Sequence, residues 1–141
     1  MDYLYCKPML NLQIKTVPDD QQRYNTVGDY YVDENGKRVF VISDMHDWRY
    51  EMLVAIHELV ESSLCRVRGI TDDQIDAFDL AYQAARPEGD VSEPGDSTEA
   101  PYYHEHQFAN KIERMLSDEL GVDWDEYCRV VDALMKNTEV E

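Results

Sequence analysis

No run in this chain approaches the roughly 18 to 20 uncharged apolar residues that a bilayer-crossing helix needs. Met1-Asp2-Tyr3-Leu4-Tyr5-Cys6 also lacks the basic region and apolar core of a secretion signal, so a cytoplasmic protein is expected. Cysteine is scarce. Cys6, Cys65 and Cys128 are far apart, odd in number and without a C-x-x-C pair, which argues against a disulfide framework or a cysteine zinc site and leaves ordinary buried thiols. Positive charge is scarce as well: 13 Lys and Arg stand against 30 Asp and Glu, a formal net charge of −17. The bases cluster only at Lys37-Arg38 and Arg66/Arg68, so a basic face for nucleic acid is not expected, and anionic membrane surfaces are disfavoured too. No internal repeat is evident, and 141 residues suit one domain, residues 1–141, better than two.

The first third reads as strands. Leu10 to Val17 alternates apolar and polar residues at period two, Pro18-Asp19-Asp20 breaks the run, and Thr26 to Val32 is β-branched and aromatic. Asp33-Glu34-Asn35-Gly36 is a turn signal in which Asn35-Gly36 would supply the positive φ angles of a tight hairpin, before the apolar strand Arg38 to Ile42. Three antiparallel strands within about residues 10–43 are the simplest expectation. From Asp47 the period becomes helical, with Leu53, Ile56, Val60, Leu64 and Val67 as the apolar stripe, Asp44 or Asp47 as the cap at its start and Gly69 at its end. Thr71-Asp72-Asp73-Gln74 fits a capping box for a second helix carrying Ile75, Phe78, Asp79 and Tyr82 to about Arg86.

Residues 87–101 hold three prolines, two glycines and five acids with no base, an acidic loop long enough to be a functional lid or a mobile insertion. A third helix from about Tyr102 to Leu120 would bury Phe108, Ile112, Met115 and Leu116. A fourth would start near Asp123 with Val130, Val131 and Leu134 inward, so that the helices fill about residues 47–136. The fold class is therefore α+β: a small three-stranded antiparallel sheet packed on about four helices. Met45, Met52 and Met115 read as core filler.

Only four histidines occur, and two of them anchor a pattern. In a helix, His57 and Glu61 lie one turn apart on the same face, with Glu58 beside them. About 45 residues later, His104-Glu105-His106 opens the third helix. His57 and Glu61 each follow a stripe residue by one position, so both flank the buried stripe, and His106 sits at the edge of the Phe108/Ile112 stripe. Two helix edges could then face each other across one divalent metal, zinc by the chemistry of the set. His57, Glu61 and His106 would be the ligands, His104 the alternate ligand, with water in the open position. Glu58 would take a proton from that water as general base.

His57-Glu58-x-x-Glu61 resembles the H-E-x-x-H active-site helix of the zincin metallopeptidases, which likewise follows a small antiparallel sheet. His106-Gln107-Phe108-Ala109-Asn110 resembles the second helix of the gluzincins, patterned E-x-x-[SA]-D. The resemblance implies a zincin-like fold and a metallopeptidase acting on a protein or peptide substrate. Glu58 is then the base, His106 holds the third ligand's place, Ala109 allows close helix packing and Asn110 supports a ligand. The ligand set, two His and one Glu, is the same with two positions exchanged. Tyr50, Tyr102 or Tyr103 could offer a phenol to the transition state. The chain is also similar to small uncharacterised proteins of phages and prophages, through Val41-Ile42-Ser43-Asp44-Met45 and Trp48-Arg49-Tyr50-Glu51, which would put it in the cytoplasm of a bacterial host.

His46-Asp47 matches the dipeptide of HD-type phosphohydrolases, but no histidine precedes it and Asp47 is better read as a helix cap. Glu58-x-x-Glu61 with Asp79 is similar to the carboxylate sets of all-α nucleotide pyrophosphatases, which would leave the strands and histidines unexplained. The alternative from another class is a phage or host interaction protein with a structural metal or none.

Overall fold

The computed structural model describes residues 10–140; the expectations for residues 1–6, including Cys6, lie outside the described residues. Three strands, β1 (Leu12–Val17), β2 (Gly28–Val32) and β3 (Arg38–Ser43), precede four helices, α1 (Trp48–Val67), α2 (Asp72–Ala85), α3 (Tyr103–Glu119) and α4 (Trp124–Val140). Single 3₁₀ turns occur at Asp19–Gln21, where Pro18 ends β1, and at Pro94–Asp96 inside the acidic loop. The α+β class is as expected; the sheet is mixed rather than antiparallel.

Its strand order is β1-β3-β2. β2 and β3 form the expected antiparallel hairpin, while β1 runs parallel to β3 from Leu12 opposite Arg38 to Val17 opposite Ser43. The reason lies in composition and connection length. Val39 to Ile42 is apolar without alternation and buried on both faces, as a central strand must be, while β1 with Gln13 and Lys15 is mostly exposed and takes an edge. Residues 18–27 are long enough to carry the chain past the place β3 will fill, which a short hairpin turn could not do. In the β2–β3 turn only Gly36 has a positive φ, +80°. Asp33 closes it instead, its Oδ1 accepting N–H bonds from Asn35 and Lys37, both at 2.9 Å. The connection is thus a wider turn with one left-handed residue, not an Asn35-Gly36 pair of them.

Local signals set the helix ends. Asp47, not Asp44, caps α1, its Oδ1 accepting the Arg49 N–H at 2.9 Å. The Thr71/Gln74 capping box is reciprocal, at 3.2 and 2.8 Å. At the other ends, Gly69 (φ +75°) and Gly121 (φ +69°) turn the chain, and Ile70 and Val122 each donate back to Cys65 and Ser117 carbonyls at 2.9 Å.

The helical faces depart from the apolar stripes. On α1 the buried positions are Leu53, Val54, Ala55, His57, Glu61, Ser62 and Cys65, while Val67 is 84% exposed and Ile56, Val60 and Leu64 are half-buried. On α3 they are Glu105, His106, Ala109, Glu113 and Ser117; Phe108 and Met115 face outward. Both faces are turned by about one residue, because the apolar residues of α1 and α3 do not mark the surface along which these helices pack on each other. Of the three methionines expected as filler, Met45 is buried while Met52 and Met115 are exposed.

Two apolar clusters support this arrangement. One gathers Ile42, Leu53, Val54, Val122, Tyr127 and Met135, with Val130, Val131 and Leu134 packed against it; the other gathers Tyr30, Phe40, Cys65, Ile75, Ala100 and Tyr102. Along α1, His57 and Glu61 fall between Leu53/Val54 of the first and Cys65 of the second. Among the described residues, no helix is long and apolar enough to cross a membrane.

Candidate metal centre

α1 and α3 bring His57, Glu61 and His106 together, 6%, 4% and 3% exposed. The i, i+4 spacing sets His57 and Glu61 on one face, and Ala109, fully buried and one turn beyond His106, lets the helices approach. His57 Nε2 lies 3.3 Å from Glu61 Oε2 and 3.2 Å from His106 Nδ1, and His106 Nδ1 lies 2.8 Å from Glu61 Oε2. The two rings meet nearly edge to face, with centroids 4.7 Å apart.

Each of these groups is also held from behind. His57 Nδ1–H donates to Glu113 Oε1 at 2.8 Å, and Glu113 Oε2 in turn accepts the Tyr127 hydroxyl at 2.5 Å. His106 Nε2–H donates to Asp96 Oδ1 at 3.1 Å. The Tyr30 hydroxyl donates to Glu61 Oε1 at 3.1 Å. Facing carboxylates, the outer ring nitrogens must carry the protons. In the neutral rings, His57 Nε2 and His106 Nδ1 therefore present lone pairs to each other and to Glu61 Oε2. Three converging acceptors need either added protons or a cation between them.

Protons are what the protein alone supplies. Burial works to lower the His57 pKa, but hydrogen bonds to Glu113 and Glu61 outweigh it and hold the ring well above its ordinary value. Burial opposes His106 in the same way, and Asp96 and Glu61 lift it to about 10. Burial would raise Glu61, yet the hydrogen bonds from His106 and His57 bring it down to about 2. The same atoms fit a cation. Two imidazoles and a carboxylate are a zinc-type donor set, and ligand atoms about 2.0–2.1 Å from a tetrahedral zinc lie roughly 3.3 Å from one another. Carboxylates behind both histidines are the usual support of metal-ligating imidazole.

Glu58 stands on the adjacent face of α1. Its side chain packs against β2 so closely that a Cβ on Gly28 would lie 2.7 Å from its Oε1. Among the described residues the Glu58 carboxylate has no hydrogen-bond partner. Burial, then repulsion from Glu61, pushes its pKa well above the ordinary range. A carboxyl placed beside the three converging atoms and without a partner of its own is free to take and return a proton.

The other candidates fall elsewhere. His104 is exposed and rests on the Tyr103 ring 5.5 Å away, so it is not among the converging atoms. Asn110 lines the neighbouring cavity, but the group supporting His57 is Glu113. Tyr102 donates to Asp79 at 2.5 Å, and Tyr50 stacks on Tyr127. His46, exposed at φ +58°, lies beside Asp44. Residues 87–101 touch the site through one short segment. The Pro94–Asp96 turn presses on the site, and a Cβ on Gly95 would come within 2.5 Å of the His106 ring.

Glu113, Asp96, Tyr30 and Tyr127 were not foreseen. Glu113 alone carried a signal, lying seven residues after His106 and so on the same helical face. The other three reach the site from a loop, a strand and another helix, with no spacing to announce them. Comparison with protein-family models, with curated proteins and with solved structures found no match.

Proposed function

We propose that this protein is a zinc-dependent hydrolase of minimal zincin-like design, cleaving an amide bond in a protein or peptide substrate within the cytoplasm. The observation that carries the reading is the convergence of His57 Nε2, His106 Nδ1 and Glu61 Oε2 at 2.8–3.3 Å, each group anchored from behind. His57, Glu61 and His106 would hold the metal, with Glu113, Asp96 and Tyr30 fixing their orientation. When bound, zinc supplies a Lewis acid beside which water loses a proton near neutral pH. Glu58, raised in pKa and without a partner of its own, receives that proton and passes it to the leaving amine.

Two measurements test this. Protein purified without chelator or His-tag should carry about one zinc per chain by elemental analysis, and a His57→Ala/His106→Ala protein should carry none. Glu58→Gln should keep its zinc and lose turnover by roughly 10²–10⁴-fold, the usual range of general acid–base catalysis. Unaltered turnover would remove Glu58 from the role.

The depth of the site favours a second reading, a structural metal in an interaction protein. All three donor residues are less than a tenth exposed. Under that reading zinc removal unfolds the protein, and Glu58→Gln changes nothing measurable.

A further inference from the structure

In the acidic loop, Glu93-Pro94-Gly95-Asp96 forms one 3₁₀ turn, closed by the Asp96 N–H donating to the Glu93 carbonyl at 3.1 Å. Side chains three residues apart in such a turn eclipse one another, so both carboxylates leave it on the same side. Pro94 fixes the backbone at the start of the turn, and Gly95, having no Cβ, lets it lie directly on the His106 ring. Asp96 Oδ1 then stands 3.1 Å from His106 Nε2, and one ligand atom each from Glu93, Asp96 and His106 lies within 4.8 Å of the others.

One carboxylate behind a ligating histidine is the ordinary support. Glu93 brings a second, which that role does not use. Among the described residues neither Glu93 nor Asp96 pairs with a Lys or Arg; the partner of Asp96 is His106 itself. Two like charges are thus gathered on one turn with only the imidazole to offset them. Glu93, Gly95 and His106 also line a cavity of about 70 Å³, which leaves space for waters to complete a coordination shell. Adjacent ligands of an octahedral ion with bonds of about 2.1 Å lie roughly 3 Å apart, the separation already present between Asp96 Oδ1 and His106 Nε2. Glu93 is exposed, so a change of rotamer brings its carboxylate the remaining distance.

We propose that Glu93, Asp96 and the outer nitrogen of His106 form a second cation site, for a manganese(II)-type ion, and that His106 bridges it to the zinc of the reading above. Two carboxylates favour a harder ion than zinc, and the imidazole favours a transition ion over magnesium. The Nε2 proton leaves to solvent and the ion takes its place. Two divalent ions bring four positive charges, matched by Glu61, Glu93, Asp96 and an imidazole ring stripped of both protons and the four negative charges they carry, so the second ion adds no uncompensated charge to a buried place. The site fastens the acidic loop to α3.

The test titrates Mn²⁺ into the full chain, with and without zinc, in excess magnesium to occupy scattered surface acids, and reads free Mn²⁺ by electron paramagnetic resonance. Zinc-loaded wild type should bind about one Mn²⁺ per chain, and spin-echo spectra should show coupling to a directly bound nitrogen. Glu93→Gln should weaken that binding at least tenfold and keep its zinc. Glu88→Gln, which removes an exposed acid of the same loop outside the cluster, should change neither. No magnesium-resistant Mn²⁺, equal loss in the two variants, or coordination by oxygen alone overturns the second site and leaves the zinc reading standing. Mn²⁺ binding that depends on Glu93 in a protein that takes up no zinc supports the site and overturns the bridge together with the hydrolase reading.

Discussion

β3 and the seam between α1 and α3 are buried alike, and they bury opposite chemistry. Phe40 and Ile42 on β3 are essentially fully buried and meet apolar neighbours, so their burial lowers the free energy of folding by removing hydrocarbon from water. The seam buries His57, Glu61, His106, Glu105 and Glu113 at similar depth. Desolvating such groups costs several kcal/mol each, and even well-paired buried ions often add nothing net to stability. The sheet is arranged to hold the fold together. The seam is held in place by that fold at a cost, and its anchored, converging donors point to binding as the return.

The largest separation of the two regions should come from paired substitutions. His57→Ala should abolish zinc uptake, read by elemental analysis, while leaving the chain folded in circular dichroism. Phe40→Ala should lower stability by about 3–5 kcal/mol in urea unfolding, yet leave about one zinc per chain wherever the protein is still folded. If His57→Ala unfolds the protein as readily as Phe40→Ala does, the contrast between the regions is lost.

Gly95→Ala sharpens the comparison from outside the helices. A Cβ within 2.5 Å of the His106 ring must push the Pro94–Asp96 turn away and loosen the bond from His106 Nε2 to Asp96. Losing such outer support typically weakens metal binding roughly 10–100-fold. A competition titration against a chromophoric chelator should show that loss, with thermal stability falling by only about 1–3 kcal/mol.

The smallest effect lies in pH dependence. His106 is raised to about 10 and His57 well above its ordinary value, so their contribution is complete below about pH 6.5, the unfolded value. It is lost as pH rises toward 10. Glu61 is lowered to about 2, so its contribution is complete above about pH 4.3 and is lost as pH falls toward 2. Metal-free protein should therefore lose stability between pH 7 and 10. Zinc-loaded protein should lose less, because zinc binds the deprotonated rings and its benefit grows as protons leave. Melting curves with and without zinc at pH 6 and 9 check this; a gap that does not widen would separate the zinc from the histidines.

Punctuation carried much of the fold. Asp47, the Thr71/Gln74 box, Gly69 and Gly121 fix helix ends through hydrogen bonds to neighbours in the chain, so they could be read without tertiary contacts. The uninterrupted apolar run of β3 and the polar alternation of β1 held the information for central and edge strands as well. The parallel pairing of β1 was less visible, because it depends on where residues 18–27 travel. The stripes misled for a physical reason: on α1 and α3 the innermost face carries His57, Glu61, His106 and Glu113, and a period sought in apolar residues lands one position away.

Sequence order alone placed His57, Glu58 and Glu61 on adjoining faces of one helix, since a repeat of 3.6 residues is a property of the backbone. It offered His106 as the third ligand and kept His104 as an alternate. Packing chose between them: the rotation of α3 that seats Ala109 against α1 turns His106 inward and leaves His104 in solvent. Packing likewise brought Asp96, Tyr30, Glu113 and Tyr127 behind the converging atoms. These partners lie 10 to 56 residues from the groups they support, and no local rule of backbone geometry reaches that far.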